Sequence, residues 1–286
     1  MQILDFNGIA VAAVFSQDAP EAIELPLVRH MILNRIRGYN KQFRREYGET
    51  VIACDERSWR RSVYPQYKAS RKKTRDTSPL DWSAFYEMLS VVRDEIRENF
   101  PYRVISVEGA EADDIIGHLV ENTQDFGQSE PVLIVSSDKD FLQLQRYKNV
   151  KQFSPSRRDF ITAETPAFYL FEHICRGDSG DGVPNVLSPD DVFVENGRQR
   201  PLRKTIIDEW YKDRDRLDEV MDADTYKNYC RNNKMINLNH TPVEIREKID
   251  SLYTGEANKT NDKIFGFLVE NRCSMLIECS QDFHRV

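Results

Sequence analysis

Two kinds of hydrophobic pattern alternate along the first half of the chain. Short apolar runs, bounded by polar or turn-forming residues, occur at 2–6 (QILDF), 50–54 (TVIAC), 102–107 (YRVISV), 132–135 (VLIV) and 150–153. Runs of this length read as strands, and those apolar on both faces suit a buried parallel sheet. Between them, Leu25, Val28, Ile32, Ile36, Tyr39 and Phe43 keep helical spacing. A helix is predicted from about 81 to 99, capped by Asp81 or Ser83, and another starts near Glu111 with Ile115, Ile116, Leu119 and Val120 on one apolar face. Strands alternating with helices imply right-handed crossovers and a mainly parallel sheet flanked by helices. Asp5, Asp55 and Asp138 then lie at the same sheet edge, the edge where open α/β sheets bind ligands. After about residue 160 the strand signal fades, and helical patterns at 165–175, 205–221, 242–252 and 262–277 predict a smaller all-helical region. The expected division is therefore 1–160, an α/β domain, and 161–286, a helical one.

Composition narrows this picture. With 286 residues, 40% hydrophobic and 30% charged, the chain is expected to be a soluble globular protein. No apolar run approaches the roughly 20 residues of a membrane span, and the first segment lacks the basic start of a signal peptide. Five cysteines without a CxxC pair predict reduced thiols, a cytoplasmic location and no zinc cluster. The five histidines are scattered, so no histidine metal site is expected. A net charge of −7 alone disfavours nucleic acid, but eight Lys or Arg and no acid lie between Arg57 and Arg75. Such a chain can grip a polyanion with one face while its acids hold metal.

The acids fall in four clusters: Asp5 with Asp55; Glu111, Asp113 and Asp114; Asp138 with Asp140; Asp178 with Asp181. Each alone has a simpler reading as a helix-first-turn or capping acid. Jointly, independent caps have no reason to aim at one sheet edge. Oxygen ligands without His or Cys favour Mg²⁺, with Mn²⁺ as a substitute, over zinc. So many acids at one place point to two ions, which about 4 Å apart can activate water and stabilise a leaving oxygen. The segment WRRSVYPQYKASRKK interleaves Trp59, Tyr64 and Tyr67 with cations. Phosphate contacts from Arg57, Arg60, Arg61, Lys68, Arg71, Lys72 and Lys73, with stacking by the aromatics, suit a single strand passing beside the metals. A second basic group, Arg198, Arg200, Arg203 and Lys204, opens the later helices.

The motifs LDF (Asp5), ACDE (Asp55), WRRSVYPQYK, EGAEADD, SSDKDF and GDSGDGVPN, in this order over residues 2 to about 190, resemble the structure-specific 5′-nuclease (flap endonuclease) superfamily. Within it they look closest to the ribonuclease H of T-even bacteriophages. The resemblance implies a PIN/5′-nuclease-like sheet carrying the metals beneath an arch segment, here 57–80, and Mg²⁺-dependent hydrolysis of DNA or RNA from the 5′ end, as in RNA-primer removal during phage replication. Carried over, Asp5, Asp55, Glu111 and Asp113 would serve the first metal, Asp138 would lie between the two, and Asp140 and Asp181 would serve the second. Asp114 and Asp178 would be outer ligands, Arg60 and Lys68 would meet the scissile phosphate, and Tyr67 and Trp59 would stand against the nucleic acid. The implied partners are branched or nicked duplex DNA, RNA–DNA hybrid, and a phage single-strand binding protein and sliding clamp, engaged by a monomer in the host cytoplasm. One departure is Gly182, where relatives carry Asn; with no GxG turn following, it argues against a monovalent-ion hairpin and shifts duplex contact to the 198–204 cations. Two rivals share some of these residues. A Toprim-type metal site would use Glu108 with Asp138 and Asp140 and leave Asp5, Asp55 and Asp181 idle, and an inactive nucleic-acid binding module would keep the fold without the reaction.

Overall fold

The computed structural model describes residues 1–15, 23–71, 77–78, 80–124 and 130–285. Its centre is a sheet of six strands: β1 (Gln2–Asp5), β2 (Thr50–Cys54), β3 (Arg103–Ser106), β4 (Val132–Val135), β5 (Val150–Ser154) and β6 (Asp159–Ile161). Their spatial order is β3-β2-β1-β4-β5-β6, with every pairing parallel except β5 with β6. The chain lays strands outward from β1 to β3, then returns to place β4 on the other side of β1. This reversal opens a crevice between the carboxyl ends of β1 and β4, the place where doubly wound sheets bind ligands. Register fixes the alignment: Leu4 stands beside Val135 and Asp5 beside Ala53.

Alternate strand residues enter opposite cores, as the two-residue period of a strand requires. Leu4, Ile52, Val104, Leu133 and Val135 face one core, shared with α1 (Phe6–Phe15), α2 (Leu25–Tyr47) and α4 (Trp82–Asn99). Ile3, Val51, Ala53, Ile105, Val132 and Ile134 face the other, closed by α5 (Ala112–Asn122). Asp81 caps α4 by accepting from the Ala84 amide at 3.0 Å. Helix α3 (Arg60–Val63) is one short turn within the basic segment.

Later helices return to both cores. Ile245 and Ile249 of α10 (Val243–Gly255) join the α5 side, and Ile264, Phe267 and Leu276 of α11 (Ile264–Glu270) and α12 (Ser274–Ile277) join the α2 side. Earlier in the chain, α6 (Pro166–Arg176), α7 (Lys204–Lys212), α8 (Leu217–Val220) and α9 (Ala223–Ile236) build two smaller clusters, one of which takes in Trp59, Tyr64 and Tyr67 of the basic segment. The pattern expected over 205–221 is interrupted by a 3₁₀ turn at Arg214–Arg216, and that over 262–277 breaks at Arg272, whose φ is +54°. Among the described residues no helix is long and apolar enough to cross a membrane.

Candidate metal centre

Each strand pointing at the crevice ends in an acid, and each acid is oriented by backbone. The Asp5 carboxylate accepts the Gly8 amide (3.0 Å) in the first turn of α1 and the Ser136 hydroxyl (2.9 Å) from the end of β4. Ser136 also accepts the Asp138 amide (3.1 Å), so one hydroxyl sets two acids across the β1–β4 crevice. Asp55 accepts the Ala112 amide (2.8 Å), which ties the end of β2 to the start of α5. Asp138 accepts the Asp140 amide (2.9 Å), and Asp178 accepts those of Gly180 (2.7 Å) and Asp181 (3.2 Å).

These elements bring Asp5, Asp55, Asp113, Asp138, Asp140, Asp178 and Asp181 to one cavity of about 610 Å³, with Lys68 and Arg71 on its wall. An adjoining cavity of about 390 Å³ adds Glu111, Arg57 and Arg61 and shares Asp55, Lys68 and Arg71. Carboxylates gathered like this resist ionisation. Burial first, then the neighbouring Asp55, raises Asp5 to about 7. Burial and then Asp138 push Asp113 and Asp140 well above the usual carboxylate range, and burial raises Asp55. Glu111 goes the other way: burial opposes its charge, but Lys68 and Arg60 together outweigh that and hold it at about 2.

The basic segment closes over one side. The Lys68 amide donates to the Asp181 carbonyl (2.7 Å), its ammonium pairs with Glu111 and, at 3.4 Å, with Asp181, and Arg71 also pairs with Asp181. Lys68 takes a left-handed φ of +56°, a strained conformation of the kind that tight functional contacts retain. Gly182 explains itself here. Its φ is +74°, and a Cβ there would stand 2.9 Å from the Gln66 carbonyl, so the glycine that departs from the family's Asn is the one that lets the segment approach.

Three expected substrate contacts are placed elsewhere. Arg60 is only 2% exposed; it bonds Glu111 (3.2 Å), Asp114 (2.9 Å) and the Met235 carbonyl (2.7 Å), and does not face the cavity as a phosphate ligand would. Tyr67 is 3% exposed, so it presents no face to a base; its hydroxyl lies 2.8 Å from both Glu111 and Asp181, and its single proton can serve only one of them at a time. Trp59 is half-buried and spends its indole N–H on Asp114 (3.2 Å). Asp114, expected as an outer metal ligand, is wholly buried and committed to Arg60, Trp59, Thr241 and the Glu111 amide. These four form a brace behind Glu111: Asp114 lies in the first turn of α5, and a buried arginine there must be matched by acids.

Arg57, Arg61 and Arg71 are exposed at the cavity mouth, and Arg198, Arg200, Arg203 and Lys204 are exposed on the later segment; Lys72 and Lys73 lie outside the described residues. Glu108 is exposed and lines neither cavity. One residue at the site was not expected. His173 of α6 has Nδ1 3.3 Å from Asp140 Oδ1 and Nε2 3.8 Å from Asp178 Oδ2. Burial holds this imidazole below its ordinary pKa. Its sequence signal was its place in HICRGDSGD, one turn before the Gly177 that ends α6.

The donor set fits divalent metal. It is rich in carboxylate oxygens, several of which burial and mutual repulsion keep from ionising freely, and it includes a buried ring nitrogen of His173 with no hydrogen-bond partner.

Comparison with known proteins gives two family matches along the chain. Residues 23–168 match the family described as 5′-3′ exonuclease, N-terminal resolvase-like domain, and residues 165–283 match T4 RNase H, C terminal. The chain is 30% identical to the ribonuclease H of Enterobacteria phage T4, over 98% of this chain and 95% of that protein. It is 26% identical to a 5′-3′ exonuclease of Buchnera aphidicola, over 51% of this chain and 50% of the other. Among solved structures it resembles the bacteriophage T5 D15 flap endonuclease in a complex with DNA and metal ions (TM-score 0.60, 17% identity, covering 90% of this chain and 98% of that one). It also resembles the T5 5′-exonuclease with bound divalent zinc (TM-score 0.62, 15% identity, covering 90% and 97%).

Proposed function

The chain belongs to the 5′-3′ exonuclease family, in the branch that carries the T4 RNase H C-terminal region, and on that premise we propose that it is a metal-dependent 5′-nuclease with ribonuclease H and flap endonuclease activity. One observation carries this reading: seven aspartates from five segments of the chain converge on one cavity at the switch point of a parallel sheet. Asp5, Asp55, Glu111 and Asp113 would hold one divalent ion, and Asp140 and Asp181 a second, with Asp138 between and Asp178 beside the second. We take the ions to be Mg²⁺, replaceable by Mn²⁺; when bound they supply an activated water and charge for the leaving oxygen.

The protein's own part is positioning. Ser136 and the α1 and α5 amides aim the acids, so little reorganisation is needed at the moment of reaction. Lys68, which pairs with Glu111 and Asp181 at the cavity wall, would offset charge on the scissile phosphate. Arg57, Arg61 and Arg71 at the mouth would carry the 5′ strand, and Arg198, Arg200, Arg203 and Lys204 the duplex. The substrates are branched or nicked DNA and RNA–DNA hybrid, as in primer removal, acted on by a monomer in the cytoplasm. A phage single-strand binding protein and a sliding clamp are the proposed partners.

The test is a magnesium titration on flap, nicked-duplex and RNA–DNA hybrid substrates. The wild-type chain should release 5′ products, and the Asp138→Asn, Asp140→Asn double variant should release none while keeping its circular dichroism. Normal turnover in that variant ends the proposal. Tight binding of these substrates by the wild type without cleavage at any magnesium concentration would make the chain a binding module instead.

A further inference from the structure

His173 is a residue that an all-oxygen magnesium centre does not need. It stands in the last turn of α6, with Phe171, Ile174 and Cys175 of that helix turned into the apolar core. Its own carbonyl is used by the Gly177 amide (2.8 Å) that ends the helix, so its backbone is fixed. The ring then lies between two carboxylates. One donor atom each from Asp140, His173 and Asp178 lie within 4.8 Å of one another, close enough to share one ion. Nδ1 lies 3.3 Å from Asp140 Oδ1 in ion-pair range, yet makes no hydrogen bond and is buried. A buried nitrogen left unbonded beside two acids is costly unless something else meets it.

We propose that His173 is a nitrogen ligand to the second ion, on the side where Asp140 and Asp178 approach it, and that it biases this position toward first-row transition ions, manganese(II) included, over magnesium. The inference rests on the two-ion reading above. Carboxylate oxygen suits magnesium and manganese(II) alike, whereas imidazole nitrogen favours first-row transition ions, whose affinity rises from manganese(II) along the series, so a nitrogen ligand should tip the position from magnesium toward manganese(II) and more strongly toward the later ions. The first ion's set of Asp5, Asp55, Glu111 and Asp113 contains no nitrogen, so the two positions should differ in selectivity within one cavity.

The test uses the full chain, freed of metal and loaded with Mn²⁺. Pulsed electron paramagnetic resonance should show nitrogen hyperfine coupling of a directly bound imidazole in the wild type and none in His173→Gln or His173→Asn. In calorimetry, Mn²⁺ affinity at one of two sites should fall about tenfold in both variants, and Mg²⁺ affinity by much less. Two Mn²⁺ ions bound without nitrogen coupling, or equal losses for the two metals, would overturn the role of His173 and leave the two-ion centre standing. No Mn²⁺ bound at all would overturn both. If both variants fail to fold, the wild-type spectrum decides alone.

Discussion

Arg60 and Lys68 come from one basic run, yet the fold gives them opposite environments. Arg60 is sealed behind Glu111 with three acceptors, whereas Lys68 stands at the cavity wall with its ammonium against Glu111 and Asp181. Replacing a buried cation strands its partners, so Arg60→Met should lower stability by about 3–5 kcal/mol in urea unfolding. Lys68→Met should leave the fold but reduce turnover by about a hundredfold to a thousandfold, the loss expected for one donor aimed at developing charge. Equal stability losses in the two variants would show that the two cations have the same structural duty. The sequence could not separate them, because a run of cations and aromatics carries no sign of which side chain turns inward. It did reveal the acids, since Asp5, Asp55 and Asp138 stand where strand patterns stop. The nearness of His173 to GDSGD hinted at it, but its contact with Asp140 and the burial of Asp114 depend on how α6 and α5 pack rather than on local pattern.

At the scale of elements, the loop after α6 joins the sheet half of the site to the basic segment. Gly177 makes the turn possible. It has φ +68° and ψ −176°, a region open essentially to glycine, and a Cβ there would come within 2.3 Å of the Val183 carbonyl. Gly177→Ala should therefore destabilise the chain by about 1–3 kcal/mol from backbone strain alone, measured by chemical denaturation. It should also displace Asp178 and Asp181, so Mn²⁺ affinity should fall at one site and not the other; an unchanged affinity at both would mean the loop does not position ligands. Element prediction succeeded where a period exists and failed where it does not. Helix α1 is apolar at nearly every position (FNGIAVAAVF) and so shows no helical face, and α9 is mostly polar, its start set by Asp222 accepting the Thr225 amide at 2.9 Å. Strand β6 is three residues long and pairs antiparallel at the edge, below the length at which alternation can be read.

For the molecule as a whole, the acids that make the site useful also make the metal-free protein uneasy. Asp5 titrates at about 7 in the fold against about 3.9 in an unfolded chain, and Asp113, Asp140 and Asp55 are raised as well. Each of these groups holds its proton more tightly when folded. Their contribution to stability is therefore complete at pH below about 4 and is lost as pH rises through the folded values. Glu111, held at about 2, has the opposite sign, and its contribution is present above about 4.5 and fades only in strong acid. Between pH 5 and 8 the raised aspartates lose stability as pH rises, while His173, His240 and the N-terminal amine, all lowered by burial, gain it; the large raises on Asp5, Asp113 and Asp140 outweigh these, so the metal-free melting temperature should fall across that window, by about 2–4 °C for each kcal/mol lost in a chain of this size. Divalent ions bind the deprotonated acids and only in the folded state, so they should restore most of that loss. The gap between melting curves with and without Mg²⁺ should accordingly be small at pH 5 and widen toward pH 8 in scanning fluorimetry. A gap of constant size would mean that the ion does not bind the aspartates whose ionisation burial opposes. Asp5→Asn should narrow the gap at pH 8 by removing one ligand together with a carboxyl whose folded pKa of about 7 falls inside that window, raising the metal-free melting temperature while lowering the metal-bound one.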